Sequence, residues 1–236
     1  MRRVALVVAG ALALAVTQLT GLAAAQDEPL CGPPEQEVPA TIVGSGTIVG
    51  TAGDDVIVAS EGNDTILGLG GDDIICAEEG NDRVLGGQGD DILIGDGLDV
   101  PPFLPSNGQN DDLLIGGPGD DTLAGLGGDD TLLGGSGNDF LIGMGGYDRI
   151  LGGPGDDTAF GGPLDDRMAG NAGNDTLWGN FGSDTISGGP GDDFIDGDNP
   201  NPVPPPSELP VPLGTNNDIC TGGPGDDTVQ NCEVAS

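Results

Sequence analysis

Residues 116–142 read GGPGDDTLA, GLGGDDTLL, GGSGNDFLI: three successive units of nine, each with a glycine-rich first part and an apolar end. Position four is Gly119, Gly128 and Gly137, position six is Asp121, Asp130 and Asp139, and position eight is Leu123, Leu132 and Leu141. The same frame runs outward without slippage through ten units, from Asn107 to Asp196. Five more units precede it between Gly50 and Ile94 (GTAGDDVIV, ASEGNDTIL, GLGGDDIIC, AEEGNDRVL and GGQGDDILI), and two follow between Leu213 and Gln230. Seventeen units cover 153 of 236 residues, so the period is the architecture of the chain.

Position six is Asp and position eight apolar in all 17 units; position four is Gly in 14, with Asn110, Leu164 and Asn216 as exceptions. Gly or Asn there fits a tight turn at positive φ, and Leu164 marks one turn as irregular. An upstream stretch, Thr41 to Val49, keeps the apolar residues but has Gly46 where Asp belongs, so it starts the first strand without a metal ligand.

The last three residues of a unit suffice for a short strand whose middle side chain points inward, and the first six turn the chain. Two units then make an 18-residue coil with strands on two facing sheets. Units i and i+2 stack at the interstrand spacing of roughly 4.8 Å. The expected fold is all-β, a right-handed parallel β-roll, that is, a β-solenoid of nonapeptide repeats. Aspartates stacked at that spacing repel by roughly 1 kcal/mol per pair in water, and by more where the dielectric is lower. A hard dication between turns reverses the sign, and Ca2+ accepts six to eight oxygens from carboxylates and carbonyls. With one inward apolar residue in nine, burial alone does not offset the entropy of a glycine-rich chain, so folding is expected to require metal. Pairs within the blocks number three in the first and eight in the second, hence eleven ions.

The flanking segments set the domain plan. Residues 1–25 read as a secretory signal peptide: Arg2 and Arg3, an apolar run from Val4 to Val16, then Ala23–Ala25. The mature chain is expected to be secreted and extracellular. A cap segment covers 26–49 and the first repeat block 50–94. A loop insertion with Pro101, Pro102 and Pro105 covers 95–106, the second block 107–196 and a proline-rich insertion 197–212, and terminal repeats with a C-terminal cap fill 213–236. Both insertions read as loops leaving one edge of the solenoid. Cys31, Cys76, Cys220 and Cys232 permit three pairings; Cys31 with Cys76 and Cys220 with Cys232 is favoured, because each pair staples one end of the array.

Without the leader, three arginines (Arg83, Arg149, Arg167) face 40 carboxylates, a formal charge of −37. That excludes nucleic acid, and with it insertion into or binding to an anionic membrane, and points to cations as partners. The chain has no His and no Lys, which removes zinc-protease motifs, Ser-His and Cys-His nucleophile pairs and the phosphate-loop lysine, so no enzymatic activity is expected. An extracellular protein or surface partner remains the alternative role, the roll acting as a calcium-stiffened adhesion or interaction module. Its outward positions are mixed, including Phe140, Phe160, Trp178 and Phe194, with Arg149 and Arg167 on neighbouring coils.

The pattern GGxGxDxUx, as in GGPGDDTLA and GGSGNDFLI, resembles the haemolysin-type calcium-binding repeat of RTX proteins. The resemblance implies that the first six positions form the calcium turn and the last three the strand. It implies as metal ligands Asp55, Asp64, Asp73, Asp82, Asp91, Asp112, Asp121, Asp130, Asp139, Asp148, Asp157, Asp166, Asp175, Asp184 and Asp193, together with Asp218 and Asp227. Members of that family often join the roll to a toxin, protease or lipase domain and leave by a C-terminal export signal, whereas this sequence shows no effector domain and carries an N-terminal signal.

Overall fold

The computed structural model describes residues 30–31, 38–96, 110–197 and 218–234. The leader expected at 1–25, most of both insertions and Asn216 lie outside the described residues. The described chain is all strand and turn: a parallel β-solenoid built of two ten-stranded sheets. One sheet starts with Ile42–Val43 and Val56–Val58, the other with Thr47–Val49 and Thr65–Gly70. Successive strands alternate between sheets, so each strand pairs with the next but one, and Thr122, Leu123 and Ala124 lie opposite Phe140, Leu141 and Ile142. The 18-residue coil expected from the period is the observed one. Thr41–Val49 opens both sheets, as expected.

The position-eight side chains form a single inner row. Ile57, Ile66, Ile75, Val84, Leu93, Leu114, Leu123, Leu132 and Leu141 are fully buried, and the row continues through Ile150, Met168, Leu177 and Ile195 to Cys220. Strands are longer than the three residues expected. Most in the middle of the roll run six, as in Thr122–Gly127 and Thr131–Ser136, with alternate residues buried. The alternation turns two positions inward, the apolar eighth residue and the first glycine of the next unit; in Thr131–Ser136 these are Leu132 and Gly134.

The insertions leave the register intact. Ile94 lies opposite Ala124 and Asp196 opposite Gln230, separations of 30 and 34 residues where the regular coil has 18. The excesses of 12 and 16 equal the lengths of 95–106 and 197–212. Gly95 and Gly197 nevertheless stay in the coil, donating their N–H to Ala124 O (2.9 Å) and Gln230 O (3.2 Å). Both excursions therefore leave along the same edge, within the turns that end at Asp112 and Asp218.

Leu164 does not disturb its turn. It adopts φ 81°, and Asp166 beside it keeps the same stacking bonds as its neighbours. The cost of a left-handed leucine, about 1–2 kcal/mol, is carried by the surrounding lattice of identical turns. Positive φ also occurs at position two, where Leu69, Leu126, Met144, Asn171 and Asn180 adopt it.

A disulfide joins Cys220 of the inner row to Cys232 and closes the C-terminal end, as favoured from sequence. Cys76 is also disulfide-bonded. The side chain of Cys31 lies outside the described residues; its strand, Leu30–Cys31, pairs antiparallel with Val38–Pro39.

Position-four glycines are required where coils stack most tightly. Gly119 has φ 145°, and a Cβ there would lie 1.8 Å from Gly89 O. Gly119→Ala is expected to destabilise the folded roll by at least about 2 kcal/mol, read from chemical denaturation in calcium.

Candidate metal centre

The 17 sixth-position aspartates fall in two rows, one along each edge. Asp55, Asp73, Asp91, Asp121, Asp139, Asp157, Asp175, Asp193 and Asp227 occupy one edge, and Asp64, Asp82, Asp112, Asp130, Asp148, Asp166, Asp184 and Asp218 the other. Within a row every carboxylate after the first does the same thing: its Oδ1 accepts the backbone N–H of the aspartate one coil earlier. Asp91 N donates to Asp121 Oδ1 at 2.8 Å, and Asp121 N to Asp139 Oδ1 at 2.9 Å. Fifteen such links, at 2.7–3.1 Å, tie coil to coil, and four of them cross the insertions. The eleven pairs counted within blocks therefore become fifteen. At the start of the second row Gly46 donates its N–H to Asp64 Oδ1, filling the place of the missing aspartate as a donor only.

The other oxygen has a different environment. In Asp73, Asp82, Asp91, Asp112, Asp121, Asp130, Asp139, Asp148, Asp157, Asp166, Asp175 and Asp193, Oδ2 is buried and accepts no hydrogen bond. Where the turn opens with glycine, it lies against that glycine. A Cβ on Gly116 would sit 2.2 Å from Asp121 Oδ2 and 2.6 Å from Gly134 O, the carbonyl of the corresponding glycine one coil on. Gly68 is placed likewise against Asp73 Oδ2 and Gly86 O. Inward glycine at position one thus makes room for a carboxylate oxygen and a carbonyl oxygen in one cradle. The sequence assigned glycine a role only in the tight turn at position four; the alternation of buried residues through six-residue strands identifies its task at position one.

Burial of these carboxylates is costly, because the arginines are elsewhere. Arg83, Arg149 and Arg167 are exposed on strands of one sheet. Desolvation, reinforced by the neighbouring aspartates, pushes Asp139 up to about 6, Asp121 to about 7 and Asp112 to about 9 from an ordinary 3.8. Asp130 and Asp166 stand well above the usual carboxylate range for the same reason. A buried anionic oxygen with no donor and no cation demands a positive charge or a proton.

The donor set is all oxygen, anionic or carbonyl, which fits a hard dication and not a soft one. Among the described residues no three His, Cys, Asp or Glu side chains are gathered into one metal-holding group. An ion here must therefore draw on backbone carbonyls as well as aspartates, and the glycine-rich turns expose those carbonyls.

The model of the RTX calcium-binding nonapeptide repeat, four copies long, matches residues 43–75, 77–98, 106–141, 133–168, 160–195 and 214–229. The chain belongs to the RTX calcium-binding nonapeptide repeat family. Its metal is therefore calcium, in keeping with the oxygen-only cradles. Comparison with curated protein sequences finds no match. Two features of this RTX chain went unread in its sequence. One is Asp96, a buried aspartate outside the repeat frame. The other is a second, exposed ladder at position five: Asp72 N, for example, donates to Asp54 Oδ1 (3.0 Å) and Asp90 N to Asp72 Oδ1 (3.0 Å). These bonds run opposite in direction to those of position six. The recurrence of Asp or Asn at position five was the available signal.

Because the folded-state carboxylate values lie above the unfolded one, the metal-free fold binds more protons than the unfolded chain. Its stability is then full below about pH 4 and is lost as pH rises through the range 6 to 9. Without divalent ions, strand content by circular dichroism should grow on acidification from pH 9 to 4. Calcium affinity should run the other way, weakening as protons compete below about pH 7.

Proposed function

We propose that the chain is a secreted calcium-binding β-roll whose folding is coupled to calcium uptake at the stacked aspartate turns, with no catalytic centre. The observation that carries this reading is the repeated buried Oδ2, free of any hydrogen-bond donor and facing a carbonyl of the next coil. Oδ1 and the backbone N–H set the spacing between coils; Oδ2 and the position-one carbonyl are the groups offered to the ion. Calcium, when bound, supplies the positive charge the chain lacks. The ligands are the 17 sixth-position aspartates, Asp55 to Asp227, and the fifteen stacked pairs are the inter-turn sites.

Secretion is supported by the leader-like residues 1–25 and by the Cys220–Cys232 disulfide, which suits an oxidising compartment. The absence of His and Lys from the whole sequence supports a non-enzymatic role. One observation favours a second role as an interaction module. Phe140, Phe160, Trp178 and Phe194 line up on one sheet, with ring centroids 5.6, 4.5 and 6.0 Å apart and Phe160 stacked flat on Trp178. The mixed outward positions read from sequence thus form a single aromatic stripe.

Calorimetric titration of the mature chain, followed in parallel by circular dichroism, tests the principal reading. Cooperative binding at roughly 0.1–1 mM calcium, with strand signal appearing alongside it, is expected. The same strand content in chelator at neutral pH as in millimolar calcium would refute it. Asp139→Asn, which removes one charge and keeps the shape, should lower both the number of ions bound and the stability in calcium, while leaving stability in chelator unchanged or raised.

A further inference from the structure

Asp96 lies in the residues read from sequence as a looped-out insertion, yet it is part of the coil. Gly95 before it occupies the first position of a turn: a Cβ there would lie 2.2 Å from Asp112 Oδ2 and 2.8 Å from Gly125 O, matching Gly116 against Asp121 Oδ2 and Gly134 O. The turn that began at Gly95 is interrupted after Asp96 and resumes at Asn110, Asp111 and Asp112. Asp96 thus stands at position two, where Gly117, Gly135 and Gly153 stand in other turns and where Glu78 is the one other carboxylate among the described turns.

The side chain is held inward. Asp96 is 1% exposed. Its Oδ2 accepts the N–H of Gly127 at 3.2 Å, and the Asn110 side chain donates to the same carboxylate. Its Oδ1 is buried and accepts no hydrogen bond. Among the carboxylates, Asp130 acts most strongly on Asp96, and Asp96 most strongly on Asp112. Asp112 Oδ2 and Asp130 Oδ2 are themselves buried without a donor. Three buried oxygens from three carboxylates, none with a donor, therefore belong to this turn and the one stacked on it.

We propose that Asp96 joins Asp112 and Asp130 in a calcium site tighter than the regular inter-turn sites, so that this coil loads first. The proposal rests on the reading that the stacked turns take up calcium, and names the place where uptake begins. Affinity at oxygen sites rises with the number of anionic ligands and with rigidity. Elsewhere two aspartates meet at each step of a row; here the count is three, and Asn110 and Gly127 hold the third in place. The three carboxylates do not yet enclose one point. The Gly127 bond is at the long end of the normal range, so Asp96 gives it up readily for a cation.

The single tyrosine provides a local reporter. Tyr147 N donates to Asp129 Oδ1 at 3.0 Å, which puts Tyr147 one coil from Asp130 on the same edge. The mature chain is titrated with terbium(III), a calcium surrogate, exciting the tyrosine band, in wild type, Asp96→Asn and Tyr147→Phe. The first equivalent is expected to give sensitised emission that Tyr147→Phe abolishes, and Asp96→Asn to weaken that first step about tenfold while later steps stay unchanged. An Asp96→Asn titration identical to wild type, or first-equivalent emission indifferent to Tyr147→Phe, overturns the proposal while leaving calcium uptake intact. A wild-type chain that takes up neither terbium nor calcium defeats the underlying reading instead. If Asp96→Asn does not fold even in excess calcium, the Tyr147→Phe comparison decides alone.

Discussion

The structure depends on stacking like charges in register inside a protein that has almost no cations to offset them. Each sixth-position aspartate sits roughly 4.8 Å from its neighbours along the edge, and all but Asp227 are buried, where Coulomb repulsion is several times its value in bulk solvent. The fold answers half of this by itself. One carboxylate oxygen of each aspartate accepts the N–H of the preceding coil, so the side chain that repels its neighbour also bonds to that neighbour's backbone. The other oxygen is buried without a donor in most of these aspartates, and the family's metal, calcium, suits such all-oxygen surroundings.

This division of labour explains the economy of the core. One inner row of apolar side chains, with a smaller cluster of Val58, Cys76, Ile94, Ala124 and Leu126, is a thin core for a chain of this length. The glycines that would weaken a conventional strand are needed in most turns here, because a cradle such as that of Gly116 beside Asp121 has no room for a side-chain carbon and a stacked turn such as that of Gly119 has none for a Cβ at position four. Stability thereby rests less on hydrophobic packing and more on the backbone links between coils, and it becomes approximately additive along the roll, coil on coil.

Interruptions are absorbed because the lattice is so regular. Insertions of 12 and 16 residues leave by one edge, and the carboxylate links close over them at 2.8 Å between Asp82 and Asp112 and at 2.7 Å between Asp184 and Asp218. Loop closure of this length costs little compared with the pairing it preserves. Even a left-handed leucine, Leu164, is held in place by the turns on either side. The two sheets differ in their dress. One carries the aromatic stripe from Phe140 to Phe194, and the other carries Arg149 opposite Arg167, together with Arg83.

The repeat itself determined the coil, the two sheets, the inner row and the two rows of aspartates, because a period of nine with one apolar residue and one invariant carboxylate admits few arrangements of a chain that alternates inward and outward. The Cys220–Cys232 link was likewise legible from its place at the end of the array. What needed the tertiary structure was everything that arises between coils. The reach of one aspartate to another's backbone, the inward turn of the first glycine, the alignment of aromatics from positions seven and nine, and the return of Asp96 to the coil all join residues 18 or more apart. A linear pattern specifies which residues recur; only the stacking specifies which atoms meet, and here the atoms that meet across coils are the ones that hold the charge.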